Sequence, residues 1–467
     1  MLSFRRISFV AAIALSLSAI VVPAAAHPPV VGVVPSTVSD SAAPGATINV
    51  AKTVHTPVIP PTPDIVLLAD TTGSMGPAIS DVQADLTDIV GDITLAQPNA
   101  QFAVAQYKDF ACAIDAFAFN LDQAMTANTA AVQAAVNSWT APPGSGCDIP
   151  EAQLNALFEL ATSPAVGFRT NSTRIVAWFG DAEGHDPSGG HTLAATIAAL
   201  QAAGIRVVAV DVITPEATSL DATGQATAIT TATGGVLLTA ATSDDVSAAI
   251  LAGISAVPVT VSPSVGTCDP NLSLSFTPAS QMVTSGEDAS FTESIQVSPG
   301  APQGTTLSCT VNWLIDGNQV LLPDGSPDPA FIQTIDIDVL DVTAPEANCL
   351  PTTNPGGKNV PPAGDNPKAG QNPDGFYELT ATDNVDPDPE VFLVDLGSGT
   401  VFGPFDSGVR IKYTQAPGAT PSQKPIGGPG SAVQWHITGQ GDAAVFAVDD
   451  AGNVSDRVLC LVPPPPK

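Results

Sequence analysis

Asp70-Thr71-Thr72-Gly73-Ser74 sets a carboxylate and two hydroxyls at i, i+2 and i+4 of one tight turn. Hard oxygens at that density favour Mg²⁺, Mn²⁺ or Ca²⁺ over softer metals. Two more acids stand in comparable places. Asp148-Ile149-Pro150-Glu151 precedes a helical stretch, and Gly180-Asp181 closes the apolar run 174–179. Asp70, Thr72, Ser74, Glu151 and Asp181 are therefore expected to converge from three loops on one divalent cation, Mg²⁺ or else Mn²⁺ or Ca²⁺. The plainer role for Asp70 is a cap on the helix that follows. His185 and His191 flank the Gly-rich loop after Asp181, but no H-E-x-x-H spacing, G-x-S-x-G elbow or Walker loop is present.

Such residues need a scaffold that brings loops together, and the flanking pattern supplies one. Residues 64–70 (DIVLLAD) are a continuous apolar run, as in a strand buried on both faces. Ile79, Val82, Leu86, Ile89, Val90 and Ile93 then recur at helical spacing. Further strands are expected at 102–107, 174–179, 205–212 and 236–238, and helices at 129–139, 150–161, 192–203 and 244–256. This alternation predicts a doubly wound α/β domain over 63–257, with ligands held beyond the carboxyl ends of its strands. After Pro258 the helices stop. Short alternating stretches between Pro, Gly and Asp turns predict two all-β sandwich domains, 258–342 and 343–463, the second with a loop at 351–375. Residues 464–467 form a tail.

The amino-terminal residues read as an address. Arg5 and Arg6 precede the apolar run 7–22, and Pro23-Ala24-Ala25-Ala26 supplies small residues before His27. That is the layout of a secretory signal peptide over 1–26, too short for a membrane span of about 20 residues. Export without membrane insertion after signal removal is expected, and 27–62, rich in Pro, Val, Ser and Thr, reads as an extended leader. Each consecutive pair of the six cysteines falls inside one domain, so Cys112–Cys147, Cys268–Cys309 and Cys349–Cys460 are the economical disulfides; thiolate metal ligation is the alternative. The formal net charge of −31 excludes nucleic-acid or anionic-lipid binding through a basic patch.

The segment DIVLLADTTGSM resembles the D-x-[ST]-x-S opening of von Willebrand factor A domains, where it forms the metal-ion-dependent adhesion site; the likeness covers about residues 60–257. The D-x-P-E segment, with a later strand ending in Gly-Asp, is similar to integrin β-subunit I-like domains. The resemblance implies Thr72 and Ser74 as direct hydroxyl ligands, Asp70 and Asp181 as carboxylates acting directly or through water, and Glu151 as the loop ligand. It also implies an open coordination position completed by an Asp or Glu carboxylate of a protein partner. Gly76 and Pro77 stand where the integrin pattern has the acids of an adjacent second site. Asp148 marks another candidate calcium position, and Tyr107-Lys108-Asp109-Phe110 resembles a structural segment of these domains.

Asp341-Val342-Thr343-Ala344-Pro345, Ala381-Thr382-Asp383-Asn384-Val385-Asp386-Pro387 and Asp449-Asp450-Ala451-Gly452-Asn453 resemble hyaline-repeat and related bacterial immunoglobulin-like modules. Asp383, Asp386, Asp388, Asp449 and Asn453 are candidates for a second, calcium site there, with Asx turns the alternative. The middle module is immunoglobulin-like by pattern, with Cys268–Cys309 as an inter-sheet bridge near Trp313. The expected function is exported, cation-dependent adhesion or protein binding, without catalysis. Two rivals stand beside it: a haloacid-dehalogenase-like phosphohydrolase with Asp70 as nucleophile, in which Thr72 replaces the usual general acid, and a purely structural stalk. Oligomeric state is not legible in the sequence.

Overall fold

The computed structural model describes residues 31–110, 115–146, 149–215, 217–352, 374–426 and 433–460. The expected signal peptide, the Cys112–Cys147 pair, Asp148 and the tail lie outside them.

Residues 63–255 build a six-stranded sheet in the order Phe119–Thr126, Gln101–Tyr107, Pro63–Asp70, Thr173–Gly180, Ile205–Val212, Val236–Ala240. All neighbours run parallel except the first pair. Every residue of Pro63–Asp70 is buried, because its alternate side chains enter two cores. Ile65, Leu67 and Ala69 pack with helices Gly76–Ala96, Thr129–Val136 and Val246–Ser255. Val66 and Leu68 pack with helices Gln153–Thr162, Leu193–Ala202 and Gln225–Thr233. Two elements were not expected from the sequence. Strand Phe119–Thr126 is a half-exposed edge with little apolar alternation, and helix Gln225–Thr233 is rich in threonine, which competes poorly for helix.

The expected leader at 27–62 is corrected by the structure. Gly32–Val34, Thr37–Ala42 and Thr47–His55 are strands of the β-sandwich that resumes at Pro258. Thr47–His55 pairs antiparallel with Asp288–Val297 over its whole length, and Thr37–Ala42 pairs parallel with Ile332–Val339. The inward alternation Ile48, Val50, Lys52, Val54 is interrupted by a lysine, which hid the strand in a Pro- and Thr-rich stretch. The α/β domain is therefore inserted between two strands of one sandwich. One sheet of that sandwich holds Gly32–Val34, Thr47–His55, Asp288–Val297 and Leu272–Thr277. The other holds Gln281–Thr284, Pro258–Cys268, Thr306–Ile315, Ile332–Val339 and Thr37–Ala42. The Cys268–Cys309 bridge joins neighbouring strands of this second sheet, with Cα atoms 4.0 Å apart, rather than linking the two sheets.

Residues 346–460 form a second pair of sheets around Leu379, Val391, Leu393, Ile411, Ile437 and Val445. Cys349 and Cys460 close this domain with a disulfide between residues 111 apart in sequence.

Candidate metal centre

Asp70 ends its strand at the carboxyl edge of the parallel sheet, where the chain turns through Thr72–Ser74 into helix Gly76–Ala96. One carboxylate oxygen, Oδ1, is used locally: it accepts from the Thr72 amide at 2.9 Å and the Thr72 hydroxyl at 2.7 Å. The other, Oδ2, is buried with no hydrogen-bond partner among the described residues. Asp181 follows the adjacent strand Thr173–Gly180. Its Oδ2 accepts from Thr214 at 2.6 Å, and its Oδ1 is buried with no hydrogen-bond partner among the described residues. Glu151 is fixed by its backbone, which donates to Glu183 O and accepts from the His185 amide, each at 2.9 Å. Its Oε2 is the third orphan.

Two glycines allow these groups to approach. A Cβ on Gly180 would lie 3.2 Å from Asp70 Oδ2. Gly146 adopts φ +98°, and a Cβ there would lie 2.6 Å from Glu151 Oε1 and 2.9 Å from the Thr72 side chain. The Gly146 loop is held down by Lys108, which belongs to the segment 107–110 read as structural, and by Asp115, which the sequence reading did not single out. Lys108 Nζ donates to Thr71 O, to Thr140 O at 3.2 Å and to Ser145 Oγ at 2.8 Å. Asp115 accepts from Ser145 Oγ and Gly146 N, both at 2.6 Å. Thr214 was also missed; its signal is its place just beyond the carboxyl end of strand Ile205–Val212.

Burial, then the charge of Asp181, pushes the Asp70 carboxyl up to about 7, against the pull of the Thr72 hydrogen bonds and Lys108. Burial, then Asp70 and Asp109, pushes Glu151 up to about 10. Asp181 is raised as well, chiefly by burial. Burial lowers the Lys108 amine, opposed by Asp115, Asp70 and Glu151. Each of these three neighbouring carboxyls keeps one oxygen without a hydrogen-bond partner among the described residues, and Lys108 is a cation that acts on Asp70 and Glu151. An all-oxygen set of carboxylates and hydroxyls fits a hard divalent cation. A cleft of about 350 Å³ opens beside Ser74, bounded by Pro77, Ile213, Thr214, Pro215 and Ser243.

Residues 64–248 match the family model described as the von Willebrand factor type A domain. This part of the chain is a von Willebrand factor type A domain. Among solved structures, the chain is similar to a von Willebrand factor type A protein from Catenulispora acidiphila, at 13% identity and a TM-score of 0.32, over 65% of this chain and 72% of that one. It is also similar to proximal thread matrix protein 1 from the mussel byssus, at 14% identity and a TM-score of 0.32, spanning 45% of this chain and about half (48%) of that protein. No curated protein sequence matches the chain.

The histidines near the domain's rim have other occupations. His185 Nε2 lies 2.9 Å from Asp109, and His191 stacks on Phe158 with ring centroids 3.7 Å apart. In the carboxy-terminal module, Asp383 and Asp449 meet Asp341, a residue of the inter-domain segment, with carboxylate oxygens within 4.8 Å of one another. Asp383 Oδ1 is buried with no hydrogen-bond partner among the described residues. Asp386 does not join them: its two oxygens accept from the amides of Asp388 and Asp450, each at 2.9 Å. Asp449 accepts from the Asn453 amide at 2.7 Å and side chain at 2.9 Å, so Asn453 shapes the turn.

Proposed function

We propose that the protein is an exported, divalent-cation-dependent adhesion or protein-binding molecule that performs no turnover. The reading rests on one observation: on the carboxyl-end loops of a von Willebrand factor type A domain, Asp70 Oδ2, Asp181 Oδ1 and Glu151 Oε2 are each buried with no partner among the described residues. Asp70, Asp181, Glu151, Thr72 and Ser74 would hold the cation, Mg²⁺ or else Mn²⁺ or Ca²⁺. When bound, it supplies an acidic surface with a positive point able to take a partner's Asp or Glu carboxylate. Thr214 and Thr72 orient two of the carboxylates, and Lys108 with Asp115 keeps the Gly146 loop against the site. The signal-like segment 1–26 and the disulfides support export. The β-domains serve as immunoglobulin-like and hyaline-repeat-like carriers.

The test is calorimetric titration of Mg²⁺, Mn²⁺ and Ca²⁺ into the full chain beside Asp70→Ala and Asp181→Ala. One cation per chain, lost in both variants, is expected, together with cation-dependent capture of carboxylate-bearing peptides. Absence of binding to the wild type overturns the reading and leaves the stalk. Phosphatase turnover lost in Asp70→Asn would replace it with the phosphohydrolase.

A second cation at Asp341, Asp383 and Asp449 is favoured by the orphaned Asp383 Oδ1 at the junction of the β-domains.

A further inference from the structure

Lys52, Glu293 and Gln333 lie inside the β-sandwich at 1, 0 and 0% exposure, outside the domain that carries the candidate metal site. Lys52 and Glu293 come from paired strands of one sheet, Thr47–His55 and Asp288–Val297. Gln333 comes from Ile332–Val339 in the facing sheet. Lys52 Nζ stands 3.5 Å from Glu293 Oε2 and donates to the Pro35 carbonyl at 2.8 Å. Gln333 Nε2 donates to the same Glu293 oxygen at 2.7 Å, so amine and carboxamide bracket one carboxyl. Gln333 Oε1 accepts from the Trp313 indole at 3.2 Å, and Phe276 and Phe291 pack around that indole. Glu293 Oε1 is buried without a partner among the described residues.

A buried ion pair is a costly use of such a core, since each desolvated ion costs several kcal/mol. Burial lowers the Lys52 pKa, against the opposing effect of Glu293, which brings the neutral amine within reach. A desolvated lysine amine is a nucleophile. It shares one Glu293 oxygen with the Gln333 carboxamide, whose own oxygen is held by the Trp313 N–H and whose nitrogen rests on that proton carrier.

We propose that Lys52 and Gln333 join in an intramolecular amide cross-link, with Glu293 carrying the proton. Lys52 Nζ attacks Gln333 Cδ, and the carbonyl electrons move onto Oε1 against the Trp313 N–H. Glu293 takes a proton from Nζ and passes one to Gln333 Nε2. The Cδ–Nε2 bond breaks, ammonia leaves, and Glu293 returns to its starting state. No oxidant or reductant is needed. The product is a secondary amide binding strand Thr47–His55 to strand Ile332–Val339 across the sandwich that carries the inserted domain.

Mass spectrometry of the purified, reduced full chain tests this. The expected result is a species lighter by one ammonia, about 17 Da, and a branched peptide joining the segments around 52 and 333 after proteolysis. Lys52→Met and Glu293→Gln should restore the full mass and give two linear peptides. Linear peptides at full mass in the wild type, with Lys52 open to acylation after unfolding, overturn the proposal and leave a buried ion pair. The wild-type peptide map decides by itself if either variant fails to fold.

Discussion

Arg206 grips Asp316 through two hydrogen bonds of 2.6 and 2.7 Å, joining the inserted domain to the sandwich that holds it. Asp316 also accepts from the Thr260 amide at 2.9 Å, so the pair ties the sandwich strand just after the insertion to the base of strand Ile205–Val212. Arg206→Ala is expected to lower stability by about 1–3 kcal/mol, as for hydrogen bonds to charged groups. Urea denaturation measures this. Because Arg206 sits at the opposite end of its strand from the metal centre, cation titration of the folded variant should match the wild type. A parallel loss of cation affinity would show that the two ends are coupled.

Gly180→Ala tests how tightly the metal centre is packed. The added Cβ collides with the Tyr107 hydroxyl and crowds Asp70 Oδ2 at 3.2 Å. Tyr107 is itself anchored by the Trp178 indole at 3.0 Å and has little room to yield. A stability loss of about 1–3 kcal/mol is expected from overpacking, with cation affinity down about tenfold. Thermal melts and calorimetry read the two effects separately.

Asp395 gives the carboxy-terminal domain a pH dependence of known sign. Burial raises its carboxyl, but the Ser398 hydroxyl and the amides of Gln440, Gly441 and Gly397 outweigh this and hold it at about 2. A carboxyl depressed in the fold stabilises above its unfolded value of about 3.9 and loses that contribution as the pH falls through its folded value. Asp395→Asn should therefore melt below the wild type at pH 7. The gap should close between about pH 4 and pH 2. An equal gap at both ends would assign the effect to shape rather than charge.

The inter-domain acids make a different prediction. Calcium should raise the melting temperature of the wild-type chain, and Asp383→Asn or Asp449→Asn should remove the increment. Asp386→Asn should keep it while lowering overall stability, because Asp386 is spent on the Asp388 and Asp450 amides. Without calcium, Asp341 is raised by burial and then by Asp383, Asp449 and Asp386, so relief of that repulsion is part of the effect. A calcium response that survives in all three variants would place the ion elsewhere.

The candidate metal-binding residues were legible in the sequence because their signals are local. Asp70, Thr72 and Ser74 share one turn, and Asp181 closes a strand whose apolar run is unmistakable; Glu151 stood beside a proline before a helix. What stayed hidden depends on pairing across long separations. Strand Thr47–His55 acquires its meaning from Asp288–Val297, and its inward lysine broke the apolar alternation. Asp341 lies in a segment that looks like punctuation, and only folding brings it to Asp383 and Asp449. Lys108 and Asp115 act through loop contacts that no spacing announces. The same holds for Asp386, whose acidic neighbourhood reads as ligation until its oxygens are seen to accept from backbone amides.

The parallel pairing of Thr37–Ala42 with Ile332–Val339 carries a mechanical consequence. A pull applied between the amino-terminal strands and the segment leading to the last domain enters one of these strands at its start and leaves the other at its end. That geometry loads the ladder in shear, so its hydrogen bonds resist together instead of parting one by one. The inserted domain, hung from the sandwich by both its ends, lies outside the line of tension. Tension between the two ends of the sandwich therefore passes the inserted domain by and leaves the loops around Asp70 unstrained.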